Sequence, residues 1–236
     1  MNIIPAIDLR HGNVVQLVQG NPDNVGVQGT LSPKAQAAAW IEAGATRLHV
    51  VDLDAAFEEK PQSMQIQSIL RAGAPVQLGG GFRHMLDIQM ALNGGADRII
   101  VGTQGVQHPD WLREVAQLFP GRILLAVDAK GRNVVTKGWT EETGKDVVEL
   151  AASLTGCGLA GFLYTNVDKE GLMQGIDVDV LRDLRAAIQE ELIASGGFAT
   201  TDDLVAAKDA GVDAVVLGMS IYTGSLTLQA AMEAVA

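Results

Sequence analysis

Four glycine-rich turns and two aspartates carry the chemistry this sequence can offer. Gly80-Gly81, Gly102-Thr103, Ser195-Gly196-Gly197 and Gly218-Met219-Ser220 each follow a short apolar run. Without Cβ atoms, backbone N–H groups can approach an anion, and the start of the next helix adds favourable partial charge. A single turn of this kind is most simply a tight connection. A pair on consecutive runs, occurring twice, reads as two phosphate sites. Asp8 and Asp128 end two other runs. Two carboxyls facing each other across a substrate divide into base and acid when their surroundings separate their pKa values. The plainer alternative for an Asp after a strand is a helix cap or a loop ion pair. Asp52 and Asp54, and Thr165 and Asn166, end two further runs.

Other chemistries are poorly served. His11, His49, His84 and His108 share no ligand spacing, and Asp52 with Asp54 alone is a weak metal set, so no metal and no cofactor is expected. His49 lies inside a run and is expected to pack. No GxSxG, CxxC or P-loop occurs, and Cys157 follows a helical stretch with no partner in view. Lys137-Gly138-Trp139 sits in a long segment after the fifth run. A Trp there can stack on a planar heterocycle or pack as a lid on the rim. Trp40 and Trp111 fall within helical stretches and are read as structural.

The elements that must position these groups follow from periodicity. Runs rich in Val, Ile and Leu occur at 3–7, 47–51, 76–78, 98–101, 123–127, 161–164, 192–194 and 214–217. They lack polar alternation, as strands buried on both faces of a parallel sheet do. Amphipathic stretches separate them, at 33–43, 63–72, 85–93, 109–119, 146–154, 178–190, 201–210 and 225–235. Pro33 and Pro109 mark first helical positions, and Gly44, Gly73, Gly94 and Gly211 mark stops. Eight strand–helix alternations predict an α/β (β/α)8 TIM barrel, one domain over 1–236. An open doubly wound sheet would carry GxGxxG after its first strand, and none is present.

The chain is also internally repeated. At an offset of 116, Gly80, Gly81, Phe82, Asp87, Ala91, Gly95, Asp97 and Gly102 match Gly196, Gly197, Phe198, Asp203, Ala207, Gly211, Asp213 and Gly218. An offset of 114 sets 48–54 on 162–168, and a similar one pairs Asp8 with Asp128. Two half-barrels of four strands each are expected, with Asp8 and Asp128 facing each other across a pseudo-twofold axis. Asp87 and Asp203 pair inside helices and are assigned to helix structure.

Composition bounds the setting. With 236 residues, 47% of them hydrophobic, the chain can bury a sizeable core. One cysteine excludes an internal disulfide. The start shows no signal-peptide pattern and no run approaches a membrane span, so a soluble cytoplasmic protein is expected. A net charge of −11 argues against nucleic acid as partner and against long-range steering of anions. The expected partner is a small molecule with two phosphates, handled by a monomer.

IIPAIDLRHGNVVQLVQG, LHVVDLDAAF, VQLGGGFR, RIIVGT, LAVDAKG, KGWTEETG, YTNVDKEG, IASGGF and VVLG run in order from residue 3 to residue 218. Together they resemble the family of phosphoribosylformimino-5-aminoimidazole carboxamide ribotide (ProFAR) isomerases of histidine biosynthesis, over nearly the whole chain. The resemblance implies a duplicated half-barrel and an Amadori rearrangement of an aminoaldose to an aminoketose. It implies Asp8 as the base at C2, with Thr165 in support and Trp139 closing over the aminoimidazole. It leaves the acid between Asp128 and Glu170, where many members carry Asp. It implies phosphate contacts from Gly80, Gly81, Gly102, Thr103, Ser195, Gly196, Gly197, Gly218 and Ser220. Met219 and Asn166 depart from the residues common at their positions.

Three other functions compete. The sister cyclase barrel that builds imidazole glycerol phosphate normally begins with a Cys-Leu-Asp-like strand, whereas this chain has Pro5-Ala6-Ile7-Asp8. A bifunctional isomerase acting also on phosphoribosylanthranilate would use the same groups. A non-catalytic binding barrel would be expected to lack Asp8 or Asp128.

Overall fold

The computed structural model describes residues 1–236. In the first half, β1 (Asn2–Arg10) turns back through β2 (Asn13–Leu17) and β3 (Val25–Gln28). Then come α1 (Pro33–Glu42), β4 (Leu48–Asp52), α2 (Leu53–Ala56), α3 (Ser63–Leu70), β5 (Val76–Gly79), α4 (Met85–Asn93), β6 (Arg98–Val101), α5 (Thr103–Gln107) and α6 (Pro109–Leu118). The second half repeats this plan. It opens with β7 (Ile123–Lys130) and the hairpin β8 (Asn133–Thr136) and β9 (Glu141–Asp146), followed by α7 (Val147–Leu154) and β10 (Gly161–Asn166). It ends with α8 (Val178–Ala187), β11 (Glu191–Ser195), α9 (Thr201–Asp209), β12 (Ala214–Leu217), α10 (Met219–Tyr222) and α11 (Leu228–Ala234).

Parallel pairing runs β1–β4–β5–β6–β7–β10–β11–β12 and returns to β1, so the eight expected runs close a barrel. Every residue of β5, β6 and β12 is buried, because one face meets helices and the other fills the barrel. The outward set joins a large core under the helices, and Ile4, Ala6, Ile100, Leu124, Leu163 and Ile193 form a second cluster inside. One layer deeper, Arg98 of β6 reaches across the interior to Glu191 of β11. No helix is long and apolar enough to cross a membrane.

Local signals act where expected. The Ser32 hydroxyl accepts from Ala35 N ahead of Pro33, and Thr200 closes a capping box with Asp203. The stop after α4 differs from expectation. Gly94 is helical, and it is Gly95, at φ +108°, that turns the chain left-handed.

The hairpins β2–β3 and β8–β9 and the short helices α2, α5 and α10 were not anticipated by periodicity. β1 runs two residues past Asp8, and β7 two past Asp128. Both strands therefore leave the barrel wall and fold back over its C-terminal mouth, pairing antiparallel with β2 and β8.

Candidate active site

Asp8 and Asp128 stand on strands opposite each other in the ring, at the level where those strands leave the barrel. Asp8 pairs with Val51 of β4, and Asp128 with Thr165 of β10. Both line one cavity of about 680 Å³ at the C-terminal mouth, together with Gln16, His49, Trp139, Thr165, Glu170 and Ser195. Its size suits a small-molecule site, and the mouth is where barrels of this kind do chemistry.

Glu170, from the loop after β10, joins the two aspartates. Its backbone carbonyl accepts from Gln19 N at 3.2 Å, tying that loop to the segment after β2. The three carboxyls are half-buried, and the surface they keep faces the cavity rather than bulk water. Burial pushes Asp8 up to about 7, against a hydrogen bond from Gln16 that pulls it down. Burial raises Asp128 too, while Trp139 and Thr165 pull it back. Glu170 rises to about 8, through burial first and then through the charges of Asp8 and Asp128. Burial and mutual repulsion oppose ionisation of all three together, so the mouth can supply both a carboxylate and a carboxylic acid, the two forms that proton transfer in both directions needs.

The β8–β9 turn folds over the mouth. Lys137, Gly138 and Trp139 have φ of 54°, 63° and 70°, a run of left-handed residues that costs energy at the two non-glycines. Contacts into the mouth hold it there. Trp139 Nε1 donates to Asp128 Oδ2 at 2.8 Å, and Lys137 N donates to Thr103 Oγ1 at 2.9 Å. The indole lies on Gly20, where a Cβ would stand 2.5 Å from the ring.

The glycine turns are twofold copies in three dimensions. A Cβ on Gly80 would lie 2.3 Å from Asp52 O, and one on Gly196 2.6 Å from Asn166 O. Each glycine thus serves close packing against the preceding strand end and also bares backbone to the mouth. Gly102 and Gly218 precede α5 and α10 with similar unusual dihedrals, φ −104° and ψ −112° against φ −117° and ψ −99°. Gly80, Gly81, Gly102 and Thr103 border the main cavity. Ser195, Gly196, Gly197, Gly218 and Ser220 border a small pocket beside it, with Met219. Such glycine turns followed by short helices recur as phosphate sites in barrels.

Other singled-out residues have structural work. Asp52 caps α2, accepting from Ala55 N at 3.1 Å, and takes Gln62 N at 2.8 Å. Asp54 accepts from His11 N at 3.0 Å, and its repeat mate Asp168 accepts from Gly131 N at 2.7 Å, so each half ties its first hairpin turn the same way. Asn166 is buried behind Gly196. His11 does find potential co-ligands in Asp54 and Glu59, a grouping sequence spacing did not reveal, though Arg10 faces the same Glu59. His49 is buried, but inside the barrel on the cavity floor rather than against helices. Its Nδ1 meets Gln77 Nε2 at 2.9 Å, and burial holds its pKa down to about 4. Gln16 lies within the IIPAIDLRHGNVVQLVQG motif but was given no role from sequence.

Residues 2–227 match the histidine biosynthesis protein family. A relative from Paracoccus denitrificans (strain Pd 1222) is 43% identical over 239 residues, covering 100% of both chains. One from Natronomonas pharaonis is 42% identical over 235 residues, covering 99% of this chain and 98% of its own. One from Rhodobacter capsulatus is 42% identical over 237 residues and covers 99% of each. All three are named 1-(5-phosphoribosyl)-5-((5-phosphoribosylamino)methylideneamino)imidazole-4-carboxamide isomerase.

Proposed function

The chain belongs to the histidine biosynthesis protein family, and from that premise we infer that it is an isomerase converting the aminoaldose ProFAR to its ribulosyl aminoketose. The observation that carries the reading is the set of three half-buried carboxyls, all pushed up in pKa, between twofold-related glycine turns. Two pairs of such turns match a substrate with a phosphate at each end.

In the proposed sequence, a carboxylic acid at the mouth protonates the ribose ring oxygen. The bond from C1 to that oxygen breaks, and the amino nitrogen supplies the electron pair, leaving an iminium at C1. The Asp8 carboxylate then takes the proton from C2, now acidic beside the iminium, and the electrons form an enolamine. Loss of the C2 hydroxyl proton and return of a proton to C1 give the ketone. The oxidation at C2 balances the reduction at C1 within one molecule, so proton transfer alone completes the reaction and no cofactor is called for. Asp128 or Glu170 supplies the acid, Thr165 supports Asp128, and Trp139 covers the heterocycle. Gly80, Gly81, Gly102 and Thr103 bind one phosphate. Ser195, Gly196, Gly197, Gly218 and Ser220 bind the other.

The setting that fits is a single barrel domain working as a cytoplasmic monomer on a diffusible substrate. Incubation with ProFAR and chromatography of the products tests the reading. Formation of the ribulosyl isomer is expected, and recovery of unchanged ProFAR would overturn it.

A further inference from the structure

Asp8 and Asp128 each receive one N–H donor from the hairpin that follows their strand, and the two donors differ in kind. Asp128 receives the indole of Trp139 from the β8–β9 turn. Asp8 receives a side chain inside the sheet: Gln16 of β2, buried to 3% exposure, whose Nε2 donates to Asp8 Oδ2 at 3.2 Å. The same amide nitrogen donates to Val15 O at 2.9 Å. Both acceptors are oxygens, so a flipped amide would set Oε1 against a carboxylate and a carbonyl. The orientation is thereby fixed.

The other end of the amide is fixed as well. Gln16 Oε1 occupies the space beside Gly218, where a Cβ would stand 2.2 Å from it. The twofold mate Gly102 has no such neighbour, since a Cβ there meets nothing closer than Ala126 at 3.9 Å. A Cβ at 218 would therefore have to push the Gln16 amide aside, whereas one at 102 meets open space. The repeat breaks at this point because one half threads a glutamine through its glycine turn.

We propose that Gln16 is a positioning residue for the base, clamping the Asp8 carboxylate through its amide, and that Gly218 is glycine in order to admit it. The inference rests on the reading of Asp8 as base. Its physical content is a donor that stays with Asp8 through the cycle, whereas the donor to Asp128 leaves whenever the β8–β9 turn moves. A fixed N–H favours the carboxylate over the acid form and aims its free oxygen into the mouth. The other groups around Asp8 do not replace it. Glu170 from the β10 loop and Asp128 from β7 are carboxyl groups with no N–H to offer, the Tyr222 phenol of α10 donates to Ala6 O, and His49 of β4 is held neutral and bonded to Gln77.

The test is the pH dependence of kcat/KM with ProFAR for the wild type, Gln16→Met, Gly218→Ala and the double variant, beside Asp8→Asn. Methionine keeps the length and removes the donor. One lost hydrogen bond to a charged group should move the acidic limb of Gln16→Met to higher pH by about one unit. That is a loss of roughly tenfold at pH 6, largely recovered on the alkaline plateau. Gly218→Ala should move the same limb in the same direction, and the double variant should move it no further. If Gln16→Met fails to fold, Gly218→Ala alone gives the readout. A limb that stays at its wild-type position in the folded variants, while Asp8→Asn has lost turnover, overturns the positioning role and leaves the base intact. Wild-type turnover in Asp8→Asn overturns both.

Discussion

The indole nitrogen of Trp139 and the carboxyl group of Asp128 share a 2.8 Å hydrogen bond at the mouth of the barrel. That bond lowers the pKa of Asp128 against the rise caused by burial. Trp139→Phe keeps an aromatic ring and removes the donor, so Asp128 should hold its proton to higher pH. Because kcat/KM reports the free enzyme, its basic limb should shift alkaline by up to about one unit if Asp128 is the acid. A limb that does not move assigns the acid to Glu170.

Asp8→Asn is nearly isosteric and cannot accept a proton. Turnover should fall by more than the roughly 10²–10⁴-fold typical of one acid–base group, with KM little changed because the phosphates carry binding. Asp128→Asn and Glu170→Gln, assayed side by side, divide the acid role. The acid's variant should fall as far as Asp8→Asn and the other only mildly. Full activity in Asp8→Asn would sink the mechanism.

Glu170 also bears on stability. Its folded pKa, about 8, lies above its ordinary 4.5, so its contribution is fully present in acid and is lost as pH rises through about 8. Gln cannot ionise. Glu170→Gln should melt close to wild type at pH 4 and higher at pH 8.5. Allowing for screening by water in the cavity, the gain is about 1–2 kcal/mol, a few degrees in Tm for a chain of this size. Equal melting temperatures at both pH values would contradict it.

Crystals soaked in phosphate or sulfate should hold two anions. One belongs beside Gly80, Gly81, Gly102 and Thr103, the other beside Ser195, Gly196, Gly197, Gly218 and Ser220. Thr103 Oγ1 accepts from Lys137 N and keeps its own proton to donate to the first anion, so that anion should sit directly beside the β8–β9 turn. Density at one site alone would argue against a substrate with two phosphates.

Turnover should survive exhaustive treatment with a chelator. His11→Ala, which opens the grouping of His11, Asp54 and Glu59, should leave kcat within a few-fold of wild type. Loss of activity restored by one divalent ion would assign that cluster a catalytic metal.

The barrel was legible because its strands are buried on both faces. Sequences such as Ile99–Val101 and Ala214–Leu217 have little choice but to be apolar, and the glycine repeat then fixed the order of the halves. The hairpins were not legible. β9 is Glu-Glu-Thr-Gly-Lys-Asp, largely exposed, and its pairing comes from β8 rather than from a core. A signal for the first hairpin was available in the two-residue turn His11-Gly12 flanked by Val-rich sequence, both residues at positive φ. Asp8 and Asp52 both end apolar runs, and only three dimensions separate an aspartate that faces a cavity from one that caps a helix. Glu170 and Gln16 reach the mouth through loop and hairpin geometry that no spacing encodes. Glu170 entered through family resemblance, and Gln16 entered only as an unassigned letter of the first motif.

The Arg98–Glu191 pair on the barrel floor reaches beyond packing, to how such a molecule can be assembled. The repeat sets Arg98 over Ala214 and Glu191 over Pro75, so neither half carries both charges. Two copies of the first half closed into a ring would bury two guanidinium groups, each facing a proline. Two copies of the second would bury two carboxylates facing alanines. A buried charge without its partner costs several kcal/mol. At this pair each half is thus complementary to the other and not to a copy of itself.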